Sequence, residues 1–316
     1  MNEHMKKLIL TSIVLCFVLI LNAQIVKIQP KFEIGKDRYY LCSIRVLEGD
    51  KDYKVILLQR IKVLSSDKDG FTMETEIVEK SMDYNRRTYD TDLVETVWKS
   101  KLNNIYKFRT NADGEIKSLL NADEVMKKGE ENLGELWDVV FWGKYPELFT
   151  NMTQQLALRG LVYSGLSEEG FINWMSTEPF LFSLYGKEFI NKQQYLYHDK
   201  SGLKMQRTIG SLSFDEKRNL IIKIKDKLDM SQEERKQVLY KQLKEAYPDQ
   251  INNIKFDEVY KASGWETYKK EMSFYYELDP GFWPIEYICL EVDDKHSTKY
   301  NFWCLSDDEV HKLIGK

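Results

Sequence analysis

The chain has 316 residues, 43% hydrophobic and 30% charged, with a formal net charge of −4. That length allows a proper core in one large domain or two smaller ones. Acidic and basic residues are interspersed, as in VEKSMDYNRRTYDTDLVE (78–95). This argues against nucleic-acid partners and against electrostatic docking on acidic lipid, both of which need clustered basic surface.

The first residues read MNEHMKKLILTSIVLCFVLILNAQ. Lys6 and Lys7 give a positive start, residues 8–21 an apolar run interrupted only by Thr11 and Ser12, and Asn22, Ala23 and Gln24 a small, polar exit. That order predicts a secretory signal peptide over residues 1–23, cleaved near Ala23. It places the remaining region, 24–316, in the periplasm or at the cell surface. An uncleaved membrane anchor is the alternative, but the run is about 14 residues where roughly 20 are needed to span. Cys16 lies inside the apolar run, between Leu15 and Phe17, so a lipidated N-terminus is rejected. No second long apolar run follows, so no transmembrane segment is expected in the mature chain.

From about Lys27 to Ser118, period-two alternation predicts half-buried antiparallel strands. Tyr40, Cys42, Ile44 and Val46 share one face; Tyr53, Val55, Leu57, Ile61 and Val63 share another. After the turn SSDKDG, Phe71, Met73, Thr75 and Ile77 alternate with Thr72, Glu74 and Glu76. IYKFRTNADGEIKSL (105–119) reads as a hairpin turning at Asp113-Gly114. Asn121 with Glu124 then suggests a capping box, followed by Met126, Leu133, Trp137 and Val140 at helical spacing. The aromatic-rich stretch to about Tyr185 reads as several short helices, with starts at Ser167 and at Thr177-Pro179.

Strands return at LKMQRTIGSLSF (203–214) and NLIIKIKDKL (219–228). A helix capped by Ser231 and Glu234 follows, carrying Leu239, Leu243, Ala246 and Tyr247 to a stop at Pro248. The last region has strands TYKKEMSFYYEL, WPIEYICLEV and KYNFWCL, with Asp279-Pro280-Gly281 suited to a type II turn. Antiparallel runs with segregated helices predict an α+β fold: curved antiparallel sheet covered by short helices. Two similar halves, 24–190 and 191–316, are suggested by layout without any residue-level repeat. In IEYICLEV, Ile285, Tyr287 and Cys289 on one face and Ile288, Leu290 and Val292 on the other predict a sheet covered on both sides.

Three cysteines follow the signal: Cys42, Cys289 and Cys304. If Lys295–Thr298 form a four-residue hairpin loop, Cys289 falls opposite Cys304, near disulfide reach. Two buried free thiols remain the alternative, since a one-residue slip would put the pair on opposite faces. Cys42 reads as a small core residue.

No residue set names a reaction. His198, His296 and His311 are scattered, without zinc spacing, and neither catalytic nor metal-binding residues, nor any cofactor, are assigned. The segment Gly165–Gly170 lacks the second glycine of a nucleophile elbow, and Ser167 is better read as a helix cap. The acid pairs Glu168-Glu169, Asp215-Glu216, Asp293-Asp294 and Asp307-Asp308 read as turns and caps rather than a glycosidase pair.

Aromatic residues make up 13% of the chain, seven of them Trp. Most read as core; the sharper expectation is an apolar cavity between a curved sheet and overlying helices. KFRTNADGEIKSLL and FYYELDPGFWPIEYICLEV resemble, in layout, the lipoprotein-carrier-like half-barrels of the bacterial envelope and uncharacterised secreted proteins of similar arrangement. The resemblance implies a bent antiparallel sheet wrapped around short helices and enclosing acyl chains. The expected function is a non-enzymatic, exported envelope protein binding an apolar or amphipathic ligand. The alternative is a structural or interaction module with an envelope-protein partner; a hydrolase assembled from scattered residues is the third class.

Overall fold

The computed structural model describes residues 25–134, 159–246, 248 and 255–314, apart from 161, 179 and 200. The predicted signal segment, Trp137, Trp142 and Pro179 lie outside the described residues. The fold is α+β, built on an open, curved antiparallel sheet of 11 strands. Its first meander comprises β2 (Asp37–Glu48), β3 (Lys51–Asp67), β4 (Gly70–Tyr84), β5 (Tyr106–Thr110) and β6 (Ile116–Leu119). Its second comprises β8 (Gln194–His198), β9 (Lys204–Phe214), β10 (Leu220–Leu228), β11 (Lys270–Leu278), β12 (Pro284–Asp293) and β13 (His296–Cys304). The spatial order is β6-β5-β4-β3-β2-β13-β12-β11-β10-β9-β8. One sheet therefore runs without a break across the 190/191 boundary. A small ribbon of β1 (Ile25–Lys27) and β7 (Glu188–Ile190) stands apart.

Alternation decides which face is buried. Tyr40, Cys42, Val55, Leu57, Ile61, Met73, Ile77, Ile222, Ile224, Phe274, Tyr287 and Phe302 all join one core. Bulges at Leu58/Gln59 and Lys223/Ile224 shift the register and bend the strands without losing that face. Gln59 sits on the buried face among apolar neighbours; its Nε2 donates to Thr75 Oγ1 at 2.9 Å, which satisfies it.

The described helices are α1 (Tyr89–Lys101), α2 (Ala122–Leu133), α3 (Glu168–Ser176), α4 (Gln232–Ala246), α5 (Phe256–Ser263) and α6 (Asp307–Ile314). α1 interrupts the region expected to be dominated by strands. Thr88 and Thr91 form its capping box, but its buried side carries Thr91, Asp92, Thr96 and Ser100, so it has no clear apolar stripe. Asn121 does occupy the cap of α2, yet its side chain makes no cap bond. It bridges to β5 instead, accepting from Lys107 N and donating to Ile105 O. Ser167 caps α3 as expected, accepting from Gly170 N at 3.1 Å. A side chain at Gly170 would meet Ser164 O at 1.9 Å, so only glycine fits this crossing. Thr177 ends α3 rather than starting a helix. Ser231 and Glu234 exchange their backbone–side-chain bonds at the start of α4.

Asp279–Phe282 closes with Phe282 N donating to Asp279 O at 2.8 Å, and the left-handed residue is Phe282 (φ 62) rather than Gly281. The type II expectation is thereby corrected. Asp279 Oδ1 accepts from Gly281 N and Trp283 N, which tightens the turn in a different form.

The cysteine pairing is corrected as well. Val292 faces Ser297, and Cys289 faces Tyr300. The Asp293 carboxylate accepts from the backbone of Lys295 and His296, both at 2.8 Å, and so closes the loop two residues early. Cys304 is then four residues along the strand from Cys289's partner, roughly 13 Å away and beyond disulfide reach. Cys42, Cys289 and Cys304 are free thiols. Denatured, unreduced protein should therefore take one alkyl group on each of these cysteines by intact mass. A Cys289–Cys304 pair that labels only after reduction would contradict this register.

Candidate functional site

On the buried face of the sheet, the aromatics interlock. Tyr106 and Phe171 stack at 5.1 Å, Phe108 meets Phe182 edge-on at 5.5 Å, and Tyr276 and Tyr287 stack at 4.5 Å. Phe32 packs against Trp283 at 4.4 Å, and Arg38 covers that indole while pairing with Asp279 at 2.9 Å. The seven-Trp signal thus resolves in part into core: Trp98 and Trp174 meet at 6.0 Å, and Trp265 stacks on Tyr268 at the ends of the strands.

The opposite face is different. Leu290 and Val292 are 39% and 41% exposed, and Ile288 beside them is half-buried. Among the described residues no second layer covers the sheet there, which overturns the reading of IEYICLEV. A groove of about 460 Å³ runs across β9 to β12 on this face, lined by Thr208, Gly210, Ser211, Lys223, Ser273, Tyr275, Ile288 and Leu290 among others. That volume lies within the range of small-molecule sites. The register explains its shape. Ser211, Lys223, Tyr275 and Ile288 form one cross-strand row; Thr208, Lys225, Ser273 and Leu290 form the next. Gly210 is the extra residue of the β9 bulge, between Ser211 and Ile209. Glycine, serines and threonine form the floor, while Tyr275, Ile288 and Leu290 supply apolar walls.

A second cluster lies on the buried face. Arg207 donates to both oxygens of Glu178 at 2.5 and 2.9 Å and to both oxygens of Asp226 at 2.6 and 2.8 Å. Tyr197 OH donates to Asp226 at 2.6 Å. Burial opposes the guanidinium charge, yet the bonds to Asp226 and Glu178 raise its affinity for the proton. Burial likewise pushes Glu178 up, but Lys187 and Arg207 together hold it below the ordinary carboxylate range. Nearby, Lys270 pairs with Glu291 at 2.9 Å and Asp199 at 3.5 Å. Each charge in this cluster has an opposite, so it reads as a tie between β8, β9, β10 and the residues after α3.

Lys101, at the end of α1, is buried and donates to Gly165 O, with its ammonium 4.7 Å from the Trp174 ring centre. Burial lowers its pKa to about 7.

The histidines do not converge. His198 is exposed at the end of β8 and His311 on α6. His296 lies between Glu48 and Asp293, each at 3.1 Å, where the Glu48 hydrogen bond and then Asp293 raise its pKa against a small burial penalty. Among the described residues, no three His, Cys, Asp or Glu gather in a way that could hold a metal. The acid pairs serve turns and helix starts: Asp215 accepts from Asn219, and Asp294 from Lys269 N. Among the described residues, no helix is long and apolar enough to cross a membrane.

Two stability measurements follow from the buried charges. Arg207→Met leaves Asp226 buried without its cation and Glu178 with Lys187 alone, and should cost about 3–5 kcal/mol in urea unfolding; a loss below about 1 kcal/mol would show the cluster to be solvated. For Lys101, the buried ammonium costs stability below about pH 7. Above that, the folded chain sheds the proton while the unfolded chain keeps it up to about pH 10.4. Stability should therefore rise with pH across that window, by at most about 1.4 kcal/mol per pH unit, and Lys101→Met should abolish the rise. An identical slope in the variant would contradict the assignment.

No protein-family model and no curated protein sequence matches the chain. Among solved structures, the chain is similar to lipovitellin, reported for its lipid–protein interactions, with a TM-score of 0.37 and 7% identity. That match covers 87% of this chain and 26% of the other, so this chain spans about a quarter of lipovitellin's length.

Proposed function

We propose that this is an exported, non-enzymatic protein of the cell envelope that binds an apolar or amphipathic ligand in the open groove across β9–β12. The observation that carries the reading is the groove itself: apolar walls at Ile288, Leu290 and Tyr275 over a floor of small residues, on the uncovered face of a large sheet. Export rests on the charge, apolar run and small-residue exit of residues 1–23. The layout shared with lipoprotein-carrier-like half-barrels points the same way, although there the ligand is expected between sheet and helices. Here that space is occupied, among the described residues, by packed aromatics.

A second reading has its own observation. β8 ends the sheet, with Tyr195 and Leu196 38% and 55% exposed. An exposed edge of this kind suits strand addition by an envelope-protein partner, the structural or interaction role.

Titration with the neutral dye Nile red separates the two. Saturable binding should weaken by roughly tenfold or more in Leu290→Asp, because a charge placed on an apolar wall must be desolvated by the ligand. Leu64→Asp, at an exposed apolar position of β3 three strands and ten residues from the row of Leu290, should bind like the parent protein. No saturable binding, or equal loss in both variants, would remove the ligand reading and leave the edge strand as the site of interest.

A further inference from the structure

We infer that the groove takes a single-chain anionic amphiphile, its headgroup held between Lys223 and Lys225 and its tail over Ile288 and Leu290. This rests on the reading of the groove as a ligand site.

The charge pattern along β10 carries the argument. Lys223, Lys225 and Lys227 alternate with Ile222, Ile224 and Asp226, so all three lysines project from the open face. Lys227 has a partner in Glu271 at 3.9 Å. Lys223 and Lys225 line the groove, and among the described residues neither has a carboxylate partner. Of the carboxylates beside them on this face, Glu271, diagonal to Lys225, faces Lys227, and Glu277 is already engaged, accepting from Asn219 at 3.0 Å and Tyr275 OH at 3.1 Å. Glu286 lies one strand further away, opposite Glu277. The groove therefore carries two unmatched positive charges about 7 Å apart along one strand.

The surroundings of those charges are polarised across the strands. On the β9 side, opposite Lys223 and Lys225, stand Ser211 and Thr208, and Ser273 follows on β11; all three hydroxyls can donate to an anion. On the other side, Tyr275 leads to Ile288, and Ser273 to Leu290. Cation and hydroxyl at one end and the half-buried Ile288 and exposed Leu290 at the other lie about 10 Å apart, two strand spacings. An ionised carboxylate gains charge-assisted hydrogen bonds at the first end, and an alkyl tail removes Ile288 and Leu290 from water at the second. Lys223 Nζ also lies over the Tyr275 ring, 6.0 Å from its centre. A groove of about 460 Å³ accommodates one chain as a monomer, whereas docking on a lipid surface needs a broad cationic patch.

The test compares dodecanoate with dodecanol, which differ only in headgroup, by displacement of Nile red at low ionic strength. The parent protein should bind dodecanoate about tenfold more tightly than dodecanol. In the double variant Lys223→Gln/Lys225→Gln, folded by circular dichroism, dodecanoate should fall to the affinity of dodecanol. Equal affinities in the parent protein would overturn the headgroup assignment while leaving the groove as an apolar site. Retained dodecanoate preference in the double variant would overturn the assignment to these lysines. Failure of both ligands would overturn this inference together with the ligand reading. Binding to phosphatidylglycerol vesicles without binding of monomeric dodecanoate would replace the single-chain ligand by a membrane surface.

Discussion

The structure depends on one ladder, the antiparallel pairing of β2 with β13. It runs from His296↔Glu48 to Cys304↔Tyr40 and joins strands more than 240 residues apart in sequence. Without it there would be two meanders, each with an exposed edge at the centre of what is now one sheet. With it, Cys42 lies opposite Phe302 and Ile44 opposite Tyr300, so the buried faces of both meanders become one apolar surface. Pairing strands so far apart in sequence costs loop-closure entropy, which the ladder's backbone bonds and the apolar side chains it aligns offset.

That alignment gives the two faces opposite fates. The buried face receives α3 and the residues after it, and Phe171, Phe182 and Tyr185 fill the space above β2–β5. Apart from the Lys101 ammonium, which meets Gly165 O and the Trp174 ring, buried charge on the same side is held in matched sets, chiefly Arg207 with Glu178 and Asp226. Over β9–β12 the other face stays open and keeps exposed aliphatic residues next to unmatched lysines. Folding alone gives no reason to retain that combination: exposed Leu290 and Val292 gain nothing from burial, and Lys223 and Lys225 no ion pair.

Much of the fold was legible in the residues. Alternation located the long strands and most of their buried faces, because period two is a strong signal when one face is core. The cap at Ser231 and the cap at Ser167 were legible for the same reason, that their side chains satisfy specific backbone groups. α1 was not, since its buried side is made of Thr91, Thr96 and Ser100, and its N-terminus uses threonine twice. The β12–β13 register was missed because Asp293 tightens the loop through its own backbone neighbours, a local device that composition alone does not reveal. The groove was half legible. Apolar residues on both faces of β12 are a true signal, but such a pattern by itself reads as a second covering layer, whereas strand order places serine, glycine and lysine beside them. Which residues become cross-strand neighbours depends on topology, and no window along the chain carries it.

The most direct test of the ligand's place is a methyl NMR titration of the isotope-labelled protein with dodecanoate. Shifts should concentrate on Ile288, Leu290 and their neighbours on the open face, leaving Val125, Leu166 and Leu184 of the sheet–helix core in place. Shifts centred on those core methyls would put the ligand between sheet and helices and contradict the account.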